Sequence, residues 1–213
     1  MPLYATWTEN QCSLGLWHIT EPEDVLRAQV ALLPHDALRL EQELRHPNRR
    51  LGFLAGRALL QAMGHPPTQL SYNPGGQPRL PQAHLSLSHT HGWAAVAIAP
   101  RPVGIDLERY RQQVLNIRHR MFSPGELAHF GPADAGMLTF LWGAKESLYK
   151  LHGRRGLDFR KDMALMPDPE EEPLQAQATV GQHPHQFQAR IFGRAFPGGL
   201  LVCALANESA QID

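Results

Sequence analysis

Two short stretches carry the side chains that could do chemistry. Val103-Gly104-Ile105-Asp106-Leu107-Glu108 holds two carboxylates at a spacing of two, and Trp142-Gly143-Ala144-Lys145-Glu146-Ser147-Leu148-Tyr149-Lys150 holds a third carboxylate between two lysines. In an extended chain alternate side chains share a face, so Gly104, Asp106 and Glu108 point one way while Val103, Ile105 and Leu107 point the other, into the core. Two acids side by side raise each other's pKa unless a cation sits between them. In the second stretch Met137, Leu141, Ala144, Leu148 and Leu151 recur at spacings of three and four, which predicts a helix. Trp142, Glu146 and Lys150 then share a stripe turned away from those apolar positions. Three acids and a lysine can converge on one cleft, and a small set of oxygen ligands suits Mg²⁺, which keeps several waters and shares its shell with a substrate phosphate. Each piece also has an ordinary reading. Asp106 and Glu108 fit the solvated face of an edge strand, and Glu146 with Lys150 is the favoured helical i,i+4 pair.

The elements that must position these groups are legible from breakers and periodicity. Leu14 to Ile19 reads as a strand, and Thr20-Glu21-Pro22-Glu23 reads as a capping box opening a helix through Leu33. Pro34 ends that helix, Asp36 caps a second up to about His46, and a third runs from about Arg49 to Met63 before Gly64. Arg50 and Arg57 lie seven apart on one stripe of the third helix; two such arginines are commonly a solvated face, or else a planar fork for phosphate. Asn73 to Pro78 is a loop, with Arg79 at the edge of the next strand. His84–Ser88, Trp93–Ala99 and the Asp106 strand read as a three-strand meander, with His89 at the end of its first strand as an exposed turn residue or a phosphate contact. Further on, Ile117 to Phe122 is helical and Ser123-Pro124-Gly125-Glu126 is another capping box. The Met137–Leu151 helix follows. An acidic, proline-rich surface loop, Asp168-Pro169-Glu170-Glu171-Glu172, precedes three strands at Leu174–Val180, Gln186–Phe192 and Leu200–Ala206. Strand, helices and a three-strand run occur twice, so the fold class is α+β with two similar halves, 1-101 and 102-213, and the acids and arginines at the seam.

Composition narrows the partners. The 213 residues carry 20 basic and 20 acidic side chains, a formal net charge of zero and a sequence pI of about 7.2. That is not the basic footprint of a nucleic-acid binder, and no apolar run approaches a membrane span, so neither nucleic acid nor membrane is expected as a partner. The start, Met1-Pro2-Leu3-Tyr4-Ala5, lacks the pattern of a signal peptide, and a cytoplasmic location is expected. Cys12 and Cys203 read as small core residues. His84, His89, His91 and His183-Pro184-His185 have neither Cys partners nor helical His-x-x-x-His spacing, which argues against zinc.

Gly104-Ile105-Asp106-Leu107-Glu108 and Trp142-x-x-Lys145-Glu146-Ser147-x-x-Lys150, preceded by Leu87-Ser88-His89 and Phe53-Leu54-Ala55-Gly56-Arg57, resemble the 4'-phosphopantetheinyl transferases of the Sfp type. The resemblance runs from about Leu14 to about Leu157. It implies two α+β halves related by a pseudo-twofold axis, and transfer of phosphopantetheine from coenzyme A to a serine of an apo acyl or peptidyl carrier protein. It implies Asp106, Glu108 and Glu146 as Mg²⁺ ligands and Lys150 near the pyrophosphate. Arg57, Ser88 and His89 would hold the coenzyme A phosphates, with Arg50 and Arg79 as looser candidates. Gln77 stands where many members have lysine, and Gln61 where an arginine often follows the Gly-Arg motif. Glu146, directly or through a bound water, is the expected base for the carrier serine, and Lys150 the group that stabilises or protonates departing 3',5'-ADP. Two other classes remain open: a non-catalytic coenzyme A or carrier-protein binding module, and a metal-dependent phosphohydrolase. Met121, Phe122 and Leu127 are the expected apolar patch for a carrier helix, with Arg118, Arg120, Arg154 and Arg155 as a basic rim. A duplicated fold within one chain predicts a monomer.

Overall fold

The computed structural model describes residues 3–130, 134–153, 156–167, 174–181 and 186–208. The chain divides into two compact units, Met1–Pro100 and Arg101–Asp213.

The N-terminal unit opens with a hairpin of β1 (Leu3–Glu9) and β2 (Cys12–His18). The strand β1 is absent from the sequence expectation. Its turn residues Asn10 and Gln11 both take positive φ, 51° and 64°, the left-handed conformation that a tight hairpin demands. Three helices follow: α1 (Glu23–Gln29), α2 (Pro34–Gln42) and α3 (Pro47–Ala62). The first is shorter than expected, and its N-cap is Pro22, which offers no capping side chain, so the Thr20-Glu23 capping box does not form. Nor does Asp36 cap α2: Leu33 holds that position, Pro34 begins the helix, and Asp36 lies inside it, wholly buried. His46 caps α3 by accepting from the Asn48 N–H. The remaining strands are β3 (Ser71–Tyr72), β4 (Pro78–Leu80), β5 (Ala83–Thr90) and β6 (Trp93–Ala99). They complete a six-stranded antiparallel sheet in the order β1-β2-β6-β5-β4-β3. Leu54, Leu59, Leu60, Leu85 and Val96 pack the core between α3 and this sheet.

The C-terminal unit begins with β7 (Val103–Arg109) and continues through α4 (Val114–Met121), α5 (Pro124–His129) and α6 (Ala135–His152). It ends in β8 (Met163–Pro167), β9 (Gln175–Val180), β10 (Phe187–Phe196) and β11 (Gly199–Ala206). Its sheet order is β7-β11-β10-β9-β8. The expected meander therefore stops after two strands, because β7 pairs with β11, nearly a hundred positions away in sequence, and not with β6. A fourth strand, β8, was also unread. With it both units share one connectivity: first strand next to last strand, then the sheet runs backward through the chain. β2-β6-β5-β4-β3 and β7-β11-β10-β9-β8 match strand for strand, and β1 is an addition.

Ser123 and Glu126 do form a capping box on α5, and Asp134 caps α6 by accepting from the Met137 N–H at 2.8 Å. Gly153 ends α6 at φ 75°, the left-handed position that glycine takes without Cβ strain. Cys12 and Cys203 are both buried. Among the described residues no helix is long and apolar enough to cross a membrane. The acidic loop from Asp168, the His183-Pro184-His185 run, Arg154 and Arg155 lie outside the described residues.

Candidate active site

The site is built where α6 crosses β7. Gly104 makes the crossing possible: a Cβ there would stand 1.9 Å from the Ser147 carbonyl oxygen and 2.8 Å from the Leu151 nitrogen. No side chain fits in that space, so the helix backbone rests directly on the strand. The Ser147 hydroxyl fixes the same contact on the neighbouring strand by donating to the Val202 carbonyl at 2.9 Å. Because alternate residues share a face, Asp106 and Glu108 lie on the Gly104 side, beneath α6. The acid face of β7 is therefore not a solvated edge. Val103, Ile105 and Leu107 are buried as well, so the strand is enclosed on both faces as far as Leu107.

On α6, Leu138, Leu141, Ala144, Leu148 and Leu151 enter the apolar core. Trp142, Glu146 and Lys150, spaced four apart, are left partly exposed along one stripe, as periodicity predicts. The stripe meets the acids. The Lys150 ammonium donates to Asp106 Oδ1 at 2.6 Å and to the Ile105 carbonyl at 2.9 Å. The Trp142 indole N–H donates to Glu108 Oε1 at 2.8 Å.

Charge is not balanced here. Burial and then the neighbouring Asp106 charge push the Glu108 carboxyl up to about 7, with the Trp142 hydrogen bond and Arg111 pulling against them. Burial followed by Asp106 also raises Glu146, and Lys150 opposes the rise. Three carboxylates thus repel one another around one ammonium, in a place where water screens them poorly. Their donors are all oxygen, and a divalent cation would relieve the repulsion, so the residues fit a hard metal ion. As they stand, however, no three His, Cys, Asp or Glu side chains among the described residues are placed to hold a metal ion together, so the acids would have to draw in around one.

One residue from Glu146, Lys145 does something different. It is fully buried, its ammonium 2.7 Å from Glu126 Oε1, and it also donates to the carbonyls of Phe159 and Met163. Glu126 in turn accepts from the N–H groups of Ser123 and Leu165. Burial lowers the Lys145 pKa, and Glu126 opposes that shift. The two lysines flanking Glu146 therefore have separate duties, which their spacing in the sequence does not disclose.

The phosphate candidates of the N-terminal unit are dispersed. Arg57 is 5% exposed, and its guanidinium grips Asp36 through two 3.1 Å hydrogen bonds. It also bonds Tyr72 Oη at 2.5 Å and stacks on the Phe53 ring. Arg50 is held by Glu23 and by the carbonyls of Leu40 and Leu44. Arg50 thus ties α3 to α1 and the end of α2, and Arg57 ties it to α2 and β3. Arg79 is the middle residue of β4, paired with Ser71 on one side and His84 on the other, not the strand-edge residue expected; its guanidinium is 3.0 Å from His84 Nδ1, and burial followed by the Arg79 charge lowers the His84 pKa. Ser88 is buried on β5, while the exposed His89 packs over Gly52 of α3. In the expected carrier patch, Phe122 is a core residue at 1% exposure, under the Lys145 ammonium. Met121 and Leu127 are partly buried.

Residues 102–202 match the family model of the 4'-phosphopantetheinyl transferase superfamily. The chain is 27% identical over 165 residues to a 4'-phosphopantetheinyl transferase of Bacillus subtilis, covering 72% of this chain and 71% of that protein. It is 36% identical over 81 residues to the 4'-phosphopantetheinyl transferase Sfp of Bacillus subtilis strain 168, covering 36% of each chain. A third relative, the Bacillus subtilis 4'-phosphopantetheinyl transferase ffp, is 33% identical over 81 residues. The chain thus spans about a third of the length of the latter two relatives.

Proposed function

We propose that this chain, whose residues 102–202 match the 4'-phosphopantetheinyl transferase superfamily, moves the phosphopantetheine group of coenzyme A onto a serine of an apo acyl or peptidyl carrier protein, releasing 3',5'-ADP. The observation that carries this reading is the meeting of Asp106, Glu108 and Glu146 with Lys150 at the crossing of β7 and α6.

In this reading the serine Oγ attacks the phosphorus that bears pantetheine. A P–O bond to serine forms as the P–O bond to the adenylate phosphate breaks, and the serine proton must leave. Glu146 takes that proton. It lies on the partly exposed stripe of α6 with Lys150, within electrostatic reach of Asp106, which keeps it at the anionic centre. Lys150 spreads positive charge over the departing phosphate, since its ammonium is already held at the acid cluster by Asp106 and the Ile105 carbonyl. Asp106, Glu108 and Glu146 would hold a divalent cation, which we take to be Mg²⁺, and such an ion offsets charge on the pyrophosphate when bound. Arg79, Ser88 and His89 are our candidates for the remaining coenzyme A phosphates. Arg50 and Arg57 are weaker ones, given the partners that already occupy them.

The reaction mixture that tests this holds the purified chain, coenzyme A, an apo carrier protein and Mg²⁺. Release of 3',5'-ADP that requires the carrier supports the transferase. Coenzyme A binding with no release would favour a non-catalytic binding module, and release without a modified carrier would favour a phosphohydrolase.

A further inference from the structure

The indole of Trp142 is tied into the acid cluster from one side and into the body of the unit from the other. Its N–H donates to Glu108 at 2.8 Å. Its ring packs on Phe159, centroids 5.9 Å apart, and Phe159 packs in turn on Tyr149 at 5.6 Å. The segment carrying Phe159 is itself pinned, because the Phe159 carbonyl accepts a hydrogen bond from the buried ammonium of Lys145, which is paired with Glu126. A continuous line of contacts therefore runs from the sealed Lys145–Glu126 pair through Phe159 and Trp142 to one oxygen of Glu108.

Resting on the function proposed above, we propose that Trp142 is a positioning residue for Glu108: its N–H fixes one carboxylate oxygen so that the other is presented to the metal ion, and Phe159, anchored by Lys145, holds the indole in register. A glutamate side chain has three rotatable bonds to restrain, and Glu108 lies toward the end of β7, where burial gives way to partial exposure. Without a fixed donor it has several ways to turn from the cluster and toward solvent. Partners that orient a metal's ligands are worth about 10–100-fold in metal affinity. The arrangement also accounts for a lysine one residue from Glu146 that makes no contact with the acids: it secures the support of the site.

The test measures Mn²⁺ binding to the intact protein in the presence of coenzyme A, by calorimetric titration, for wild type and Trp142→Phe. Phenylalanine keeps aromatic packing against Phe159 and deletes the donor. The Mn²⁺ dissociation constant is expected to rise about 10-fold or more, with KM for the carrier protein unchanged. Phe159→Leu, which leaves the donor in place and loosens its backing, should shift the constant in the same direction by less. It carries the test alone should Trp142→Phe lose its native circular dichroism. A folded Trp142→Phe protein with wild-type Mn²⁺ affinity overturns the inference, as does an unshifted constant for Phe159→Leu if that variant alone folds. Failure of the wild type to bind Mn²⁺ at all, or to modify a carrier, would instead overturn the functional reading.

Discussion

The two units of this chain share a connectivity and differ in how they treat buried charge. In the N-terminal unit the charges beneath the long helix α3 are matched: Arg57 and Asp36 close on each other with side chains 5% and 0% exposed, and Tyr72 completes the set. In the C-terminal unit the corresponding helix α6 covers three carboxylates with one ammonium in contact. A matched buried pair is a fastening, because neither member has interaction left to offer. An unmatched cluster costs stability, and a bound cation would offset that cost. The same contrast recurs within α6 between Lys145, sealed against Glu126, and Lys150, at 30% side-chain exposure beside Asp106.

Substitutions can break this comparison on either side. The largest effect is expected from Glu146→Gln, which keeps size and removes the base: transfer should fall by about 10²–10⁴-fold while urea unfolding stays near wild type. On the matched side, Asp36→Ala leaves Arg57 buried and unneutralised and should cost about 3–5 kcal/mol of unfolding free energy, with turnover per folded molecule retained. If the costs were exchanged, stability for Glu146 and turnover for Asp36, the contrast between the units would be wrong. Gly104→Ala tests the crossing itself. A methyl group cannot enter the space beside the Ser147 carbonyl, so α6 must lift, at a cost of about 1–3 kcal/mol, and transfer should fall with it.

The smallest effect sharpens the idea of a strained acid cluster. A carboxyl whose folded pKa is raised holds its proton more tightly in the folded chain, so the folded state loses stability as pH climbs from the ordinary value of 4.5 to about 7. Glu108→Gln removes that penalty. In metal-free protein it should raise Tm by roughly 2–4 °C at pH 8 and by less at pH 5, as scanning calorimetry would show, although the variant is expected to bind metal poorly.

Much of the C-terminal site was legible because its information is local. A spacing of two on a strand and of four on a helix brought Asp106, Glu108, Trp142, Glu146 and Lys150 to matching stripes before any fold was known. The Ser123–Glu126 capping box was legible for the same reason. Long-range partners were not. Asp36 looked like a cap because it follows Pro34 closely, but its role is fixed by Arg57, 21 residues away on another helix. Arg57 read as a solvated face or a phosphate fork, and no local pattern signals its buried Asp36 partner. Glu126 reads as a cap, and nothing near it signals the buried Lys145 it also neutralises. β1, β3 and β8 were missed as strands, and β7 was assigned to the wrong sheet, because its pairing with β11 depends on chain return rather than on residue type.

The most direct measurement is the intact mass of an apo carrier protein after incubation with this chain and coenzyme A, with Mg²⁺ and with chelator, for wild type and Glu146→Gln. The account predicts a gain of one phosphopantetheine for wild type with Mg²⁺ and no gain in the other three mixtures. Equal modification by Glu146→Gln, or full modification in chelator, would contradict it.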